Sequence, residues 1–217
     1  MYRFFQRARE PISSYTHAIG ACLSVFGAFA MFIYCIAVTG FSPVPVIATG
    51  IFGLSLIALY SASAVYHFVN TTAARLIRLR KLDHAMIYVL IAGTYTPLTM
   101  TFMEQPHGYI FTAAIWGVAA VGIFIKLLWL NAPRWLSTSF YLLMGWAIVF
   151  DSEAFQSIPL PCMSLIAAGG ILYSAGAVIY IIKKPNISKS WGFHELFHLF
   201  IMLGSLSHFI AIFLFVL

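Results

Sequence analysis

The sequence predicts an all-α membrane protein, a single bundle of seven transmembrane helices with its N-terminus in the cytoplasm and its C-terminus outside. Two observations predict this class. Only 8% of the 217 residues are charged and 62% are apolar or aromatic, whereas a soluble domain carries about 25% charged residues. In addition, all twelve Lys and Arg residues fall on one side of the predicted helices.

The uncharged intervals of the chain define the predicted helices, because a helix needs about 20 mostly apolar residues to cross the hydrocarbon. Residues 11–74 are long enough for two helices, and the glycine and two prolines of residues 40–45 predict a turn between them. The fifth helix is the shortest. The predicted helices cover residues 17–39, 44–67, 84–103, 108–130, 135–151, 160–182 and 194–216.

The basic residues predict the orientation of these helices. They precede the first helix or lie at alternate helix connections: Arg3, Arg7, Arg9, Arg75, Arg78, Arg80, Lys81, Lys126, Arg134, Lys183, Lys184 and Lys189. The opposite connections carry only acids, namely Glu104, Asp151 and Glu153. Short loops rich in Lys and Arg remain in the cytoplasm, so the N-terminus is predicted to lie inside and the C-terminus outside.

Several classes of protein are disfavoured by this arrangement. G-protein-coupled receptors place the N-terminus outside, and rhodopsins need a lysine in the last helix, which residues 196–217 lack. The net charge of +6 does not indicate a nucleic-acid partner, because basic loops follow membrane topology and attract anionic lipids. We expect membrane lipids as partners, and the oligomeric state stays open.

The chain is expected to form one domain, 1–217, that starts with a cytoplasmic interfacial segment, 1–16. Aromatic side chains alternate there with arginines, which is typical of a segment that lies on the inner leaflet. The aromatic residues concerned are Tyr2, Phe4 and Phe5.

The histidines are unevenly distributed in depth, and ionisable groups inside a membrane are usually functional. Five of the seven lie at the cytoplasmic ends of the predicted helices: His17, His67, His84, His194 and His198. His107 lies in an outer loop, and His208 lies deep in the last helix. We expect four of the seven to be interfacial or hydrogen-bonded residues, namely His17, His84, His107 and His208.

His194 and His198 are four residues apart and therefore share one face of a helix. Both imidazoles can reach a single metal ion from that face. A catalytic zinc site combines three protein ligands with a water, and His67 lies at matching depth in the second helix. The sequence therefore predicts a zinc ion held by these three histidines.

Two further residues complete the predicted site. Ser63 lies one turn before His67, where its hydroxyl is placed to orient the imidazole or a bound water. Asp83 lies at the cytoplasmic start of the third helix, where it is placed to hold the water and act as general base. An ion pair of Asp83 with the nearby Arg80 or Lys81 is the alternative.

The segment His194-Glu195-Leu196-Phe197-His198 also fits H-E-x-x-H, the zinc metalloprotease motif in which the glutamate is the general base. Intramembrane proteases of this kind use a downstream carboxylate ligand as well. No Asp or Glu follows Glu195, and an upstream donor would have to be Asp83. Three histidine ligands therefore fit the sequence better.

Four sequence blocks, in order, resemble those of the bacterial hemolysin III proteins, which belong to the progestin and adipoQ receptor family. They cover nearly the whole chain: Glu10–Gly20 (EPISSYTHAIG), Ser61–His67 (SASAVYH), Leu82–Pro97 (LDHAMIY followed by IAGTYTP) and His194–Phe209 (HELFH followed by SHF). The resemblance implies seven helices and a cytoplasmic N-terminus. It also implies zinc held by His67, His194 and His198, with Asp83 contacting it through water.

The resemblance further implies a role in membrane lipid or energy homeostasis. The family includes adiponectin receptors, for which ceramide hydrolysis has been proposed, and its zinc site resembles that of alkaline ceramidases. The hemolysin name does not establish a pore-forming toxin. We therefore predict a multi-pass protein of the bacterial cytoplasmic (inner) membrane that hydrolyses a lipid amide or ester. The alternatives are a non-enzymatic sensor or regulator with structural zinc and, third, proton or ion transport.

Overall fold

The computed structural model describes residues 7–188 and 190–217, except for the side chains of 153–155, and this part of the chain contains helices and no strand. Residues 1–6 of the predicted interfacial segment, Lys189 and the Glu153 side chain lie outside it. The helices are α1 (Pro11–Thr39), α2 (Pro43–Phe68), α3 (Ala73–Phe102), α4 (His107–Leu128), α5 (Arg134–Gly145), a 3₁₀-helix (Ala147–Phe150), α6 (Ser152–Ser157), α7 (Leu160–Ile182) and α8 (Phe193–Phe215).

Six of the described helices are long and apolar enough to cross a membrane, namely α1 to α4, α7 and α8. The predicted turn between the first two is confirmed: Gly40 follows α1 with φ of 60°, a left-handed conformation that glycine adopts without strain. The end of the bundle at which α1, α3 and α8 begin and α2, α4 and α7 end is called the basic end below.

Two predicted helix starts are wrong at this end. The first helix begins at Pro11 and the third at Ala73, ahead of the predicted residues 17 and 84. The third start was predicted where the charges stop, after Asp83, whereas the first was predicted at residue 17, although the helix begins directly after the last charge, Glu10. Charged residues mark the edge of a membrane, but Arg, Lys and Leu are good helix formers, so the helix of α3 continues through them.

The fifth predicted helix, 135–151, is broken in the structure. Its α-helical part, Arg134–Gly145, has 12 residues and is about 18 Å long, which alone is too short for a hydrocarbon core of about 30 Å. The guanidinium of Arg134 lies 4.9 Å from the Tyr180 ring centre at the basic end. At the other end, Asp151 Oδ2 lies 2.7 Å from Nε2 of His107, where α4 begins.

Helices that are consecutive in the chain pack side by side from α1 to α4, α5 packs against α7, and α1 closes the bundle against α8. α3 is the most buried of the long helices. The interior contains large side chains from α2, α3 and α8, including Phe52, Leu56, Tyr95, Leu98 and Ile212. Large apolar side chains also cover the outside, as a lipid-facing surface requires, including Phe26, Phe29, Leu54, Phe124 and Leu214.

The contact between α7 and α8 depends on two glycines, as is common where membrane helices approach closely. A Cβ atom added to Gly204 would lie 3.1 Å from the carbonyl oxygen of Gly169 and 2.6 Å from the Tyr173 ring. A side chain at Gly204 therefore forces the two helices apart.

Gly204→Ala is expected to lower the free energy of unfolding by about 1–3 kcal/mol, because it overpacks this contact. Chemical denaturation of the protein in detergent measures the change. Gly117→Ala in α4 is the matched control, since a Cβ atom there meets nothing within 4 Å and alanine favours a helix by up to about 1 kcal/mol. Equal effects of the two substitutions would contradict the close α7–α8 packing.

Candidate metal centre

Three histidines from two helices meet at the basic end. His67 lies in the last turn of α2, and His194 and His198 lie in the first two turns of α8. Each ring offers one nitrogen, and these three atoms lie within 4.8 Å of one another. His67 and His198 are each only 2% exposed, so the group is enclosed by the bundle and could hold a metal ion.

The spacing of one pair of these nitrogens suits zinc. Nε2 of His67 lies 3.4 Å from Nε2 of His194. Two ligands at about 2.0–2.1 Å from a tetrahedral zinc are about 3.3–3.4 Å apart. Imidazole nitrogen is also a preferred zinc ligand. The residues present therefore fit a zinc ion, with these three side chains as its ligands.

Glu10 orients the first of these ligands. Its carboxylate is hydrogen-bonded to Nδ1 of His67, which leaves Nε2 of the same ring for a metal. Carboxylates in this position fix the tautomer and orientation of a ligating histidine. Burial alone would raise the pKa of the Glu10 carboxyl, but the bond to His67 and the charges of His67 and Arg9 outweigh it, so the pKa is lowered.

The chain holds Glu10 in place by joining the start of α1 to the end of α2. The backbone N–H groups of Arg9 and Glu10 donate to the carbonyls of Phe68 and His67 at 3.2 and 3.0 Å. The Arg9 guanidinium pairs with Glu10 at 3.2 Å and donates to the Tyr66 carbonyl at 3.0 Å. Pro11 then starts α1, where a missing N–H costs nothing.

Sequence reasoning missed Glu10, which it placed in the interfacial segment. Two features of the sequence point to Glu10. Glu10 opens the first of the four resembling blocks, and it is one of only six acidic residues in the chain. Its partner is 57 residues away, and no local periodicity connects the two positions.

The structure brings Ser63 and Asp83 to the same cavity as the three histidines. The Ser63 hydroxyl lies close to the Asp83 carboxyl, whereas the sequence interpretation assigned Ser63 to orient His67. Glu10 orients His67 instead. Among the described residues, no Arg or Lys lies within ion-pairing distance of Asp83, and the contact of 3.7 Å to Nδ1 of His84 is its recorded ion pair.

His17 differs from its expectation as an interfacial or hydrogen-bonded residue. It is buried, and neither ring nitrogen has a hydrogen-bond partner. Its ring stacks on that of His198, with centroids 3.6 Å apart and an angle of 11°, and it meets the Tyr60 ring edge-on. Because α1 starts at Pro11, His17 lies almost two turns into the bundle, where it fixes the orientation of His198.

The other three histidines of that group are hydrogen-bonded, as expected. His84 Nδ1 lies 2.8 Å from the Arg80 carbonyl, and His208 Nε2 lies 3.0 Å from that of Ile166. His107 bonds Asp151, as described above.

Glu195, the glutamate of the H-E-x-x-H pattern, serves the start of α8. One carboxylate oxygen accepts a hydrogen bond from the Gly192 N–H at 2.9 Å, and the other accepts one from the Ser13 hydroxyl at 2.9 Å. It caps the helix and ties it to α1. These contacts disfavour a part for Glu195 as general base.

A cavity of about 720 Å³ extends from this group into the bundle, within the usual size range of small-molecule sites. Polar and charged side chains line it at the basic end. Apolar side chains line its deeper part, including Leu59, Leu90, Leu98, Met163 and Ile166. The cavity thus combines a charged mouth with an apolar interior.

The sequence profile described as "Haemolysin-III related" matches residues 5–209. This chain belongs to that family. It is 33% identical to "Hemolysin-3" of Bacillus cereus over all of this chain and 96% of the relative. It is 32% identical to "Hemolysin-3 homolog" of Bacillus subtilis (strain 168), covering 96% of this chain and 94% of the relative.

A more distant likeness supports relatedness to the progestin and adipoQ receptors. The chain is 27% identical to the human "Monocyte to macrophage differentiation factor", over 76% of this chain and 69% of the relative. All the residues of the candidate metal centre, including Glu10, fall within the part that matches the haemolysin-III family.

Glu10→Gln is expected to lower the affinity of the purified protein for Zn²⁺ about 10–100-fold, because a neutral amide orients and polarises His67 less well. Competition with a chromophoric chelator measures the affinity. Glu195→Gln is the matched control and should bind Zn²⁺ like the unaltered protein, since its carboxylate contacts no histidine. Unchanged affinity in Glu10→Gln, or an equal loss in both variants, would contradict this role.

Proposed function

We propose that this haemolysin-III protein is a zinc-dependent hydrolase that cleaves an amide or ester bond of a lipid from the inner leaflet, as part of membrane lipid or energy homeostasis. One observation supports it most: a three-histidine group, whose nitrogens lie within 4.8 Å of one another, opens beside Asp83 into a cavity whose deeper part is mainly apolar. Water, a general base and a lipid chain would meet there.

The proposal includes seven membrane crossings, with α5 and the following 3₁₀-helix as the fifth. Together these helices extend about 26 Å, close to the thickness of the hydrocarbon core. Arg134 at one end contacts Tyr180 at the basic end, and Asp151 at the other contacts His107 where α4 begins. The basic end would face the cytoplasm, and the proposed location is the bacterial cytoplasmic (inner) membrane.

Cysteine labelling distinguishes seven crossings from six. In full-length protein whose Cys22, Cys35 and Cys162 are replaced by alanine, a membrane-impermeant maleimide should label Ser152→Cys in intact cells. It should label Asn131→Cys only after the cells are permeabilised. Both positions are exposed. Labelling of the two positions under the same condition would show that 134–150 does not cross.

Zinc, when bound, acts as a Lewis acid on the substrate carbonyl and lowers the pKa of a water toward about 7. Three protein ligands leave one position open, whereas structural zinc sites have four. Glu10 holds the His67 ring, and His17 stacks on the His198 ring. The chain's own contribution to the site is therefore a fixed set of imidazoles with room for substrate and water.

Asp83 is the proposed general base. It faces the cavity without an Arg or Lys ion pair among the described residues, and the Ser63 hydroxyl lies close to it. Asp83 would take a proton from the attacking water as the new C–O bond forms at the carbonyl carbon. It would then return the proton to the leaving amine or alcohol as the C–N or C–O bond breaks.

Lipid turnover by the purified zinc-loaded protein tests the activity. Mass spectrometry of a panel of amide and ester lipids should detect a product. Asp83→Asn is expected to lower the rate about 10²–10⁴-fold, as loss of a general base does, and to retain zinc. His198→Ala should lose zinc and activity together, and Glu195→Gln should keep both.

Two outcomes would contradict the proposal. Equal loss of activity in Glu195→Gln and Asp83→Asn would favour a protease-like mechanism. If chelation of zinc unfolds the bundle while no lipid of the panel is cleaved by the loaded protein, zinc is a structural clip between α2 and α8, and a membrane sensor or regulator is the better interpretation.

A further inference from the structure

The cavity contains three cations that the proposed hydrolysis does not use. Its three acidic residues already have partners: Glu10 bonds His67, Glu195 caps α8, and Asp83 lies 3.7 Å from Nδ1 of His84. In contrast, three cations line it without a carboxylate within ion-pairing distance in the described part of the chain. They are Arg80, Lys126 and Arg134.

Lys126 is the most informative of these cations. It is only 5% exposed, and its Nζ donates a hydrogen bond to Ser137 Oγ at 3.0 Å. The charge of Arg80 acts on it and repels it. A position in the last turn of α4 is favourable for a cation by about 0.3–1 kcal/mol, but a buried ammonium without a counter-ion is costly.

The donors around Lys126 suit an anion with several oxygens. The ammonium has three N–H groups, of which Ser137 takes one. Ser137 accepts that bond and still has its own O–H to donate. The guanidinium of Arg80 adds a fork of N–H groups that matches phosphate geometry.

We propose that Lys126, Ser137 and Arg80 bind the phosphate group of a lipid whose chains occupy the apolar part of the cavity. This inference rests on the proposed function, because it names the substrate class of the same site as phosphate-bearing lipids. The order of Arg80 and Asp83 along α3 agrees with the order of the phosphate and the amide or ester bond along a lipid. Arg80 lies three residues before Asp83 in α3, about 4.5 Å nearer the basic end, as a phosphate lies nearer water than the amide or ester bond.

Binding of a lipid that cannot be hydrolysed tests the subsite. The full-length zinc-loaded protein in dodecyl maltoside is titrated with ether-linked dioctyl phosphatidic acid and with the matching dioctylglycerol. The phosphate-bearing lipid should bind at least about tenfold more tightly, as hydrogen bonds to charged groups imply. Glycerol phosphate and inorganic phosphate, titrated separately, should bind far more weakly than the lipid.

Lys126→Gln should abolish the preference for the phosphate-bearing lipid and leave the affinity for dioctylglycerol unchanged. Arg80→Gln should weaken the preference in the same way, which provides a second variant if the first is unstable. Arg75→Gln is the matched control, because this exposed cation of α3 lies outside the cavity. Zinc content and thermal unfolding confirm that the variants are folded.

Three results would overturn the inference. One is equal affinity for the two lipids. Another is an equal loss of the preference for the phosphate-bearing lipid in Arg75→Gln, which would show only a general attraction to the basic end. The third is inorganic phosphate binding as tightly as the lipid, which would make the subsite one for free phosphate. Since the ether lipid is not cleaved, phosphate-dependent binding without turnover of any lipid would leave the subsite standing and contradict only the hydrolase.

Discussion

The hydrogen bond between Glu10 and His67 is the interaction on which the candidate metal centre depends. It fixes which nitrogen of His67 faces the other histidines, and it joins the start of α1 to the end of α2. α1 also reaches α8, because Ser13 bonds Glu195 and His17 stacks on His198. A single helix start therefore positions both helices that carry the three histidines of the candidate metal centre.

The scarcity of charge in a membrane protein makes each ionisable group informative, because a buried charge must be paired or be used. Two acids of the cavity are bonded, Glu10 to a histidine and Glu195 to a helix start. No carboxylate of the described residues lies within ion-pairing distance of the three cations, and Lys126 is bonded to Ser137. Acids and cations of the cavity are equal in number, so the proposed phosphate subsite draws on the missing pairing of the cations and not on a net positive charge.

The sequence predicted the turn at Gly40 and the meeting of three histidines, because these depend on local spacing and on depth in the membrane. It placed the start of α3 too late, since charge marks a membrane boundary and not a helix end, and it placed the start of α1 at residue 17, although that helix begins at Pro11, directly after the last charge. It also missed Glu10 and His17. Their partners lie on other helices. His67 is 57 residues from Glu10 in the sequence, and His198, the partner of His17, lies in the last helix. Helical periodicity contains no information about such contacts.

α3 explains why the proposed substrate would be a lipid and not a soluble molecule. Along its cavity-lining residues, Arg80 comes first, Asp83 follows about 4.5 Å deeper, and apolar Ile87, Leu90 and Leu98 come after. A phospholipid has the same sequence of groups along its length: phosphate, ester or amide, then chains. A lipid entering from the leaflet with its headgroup toward the basic end would therefore place its carbonyl beside Asp83 without leaving its normal depth.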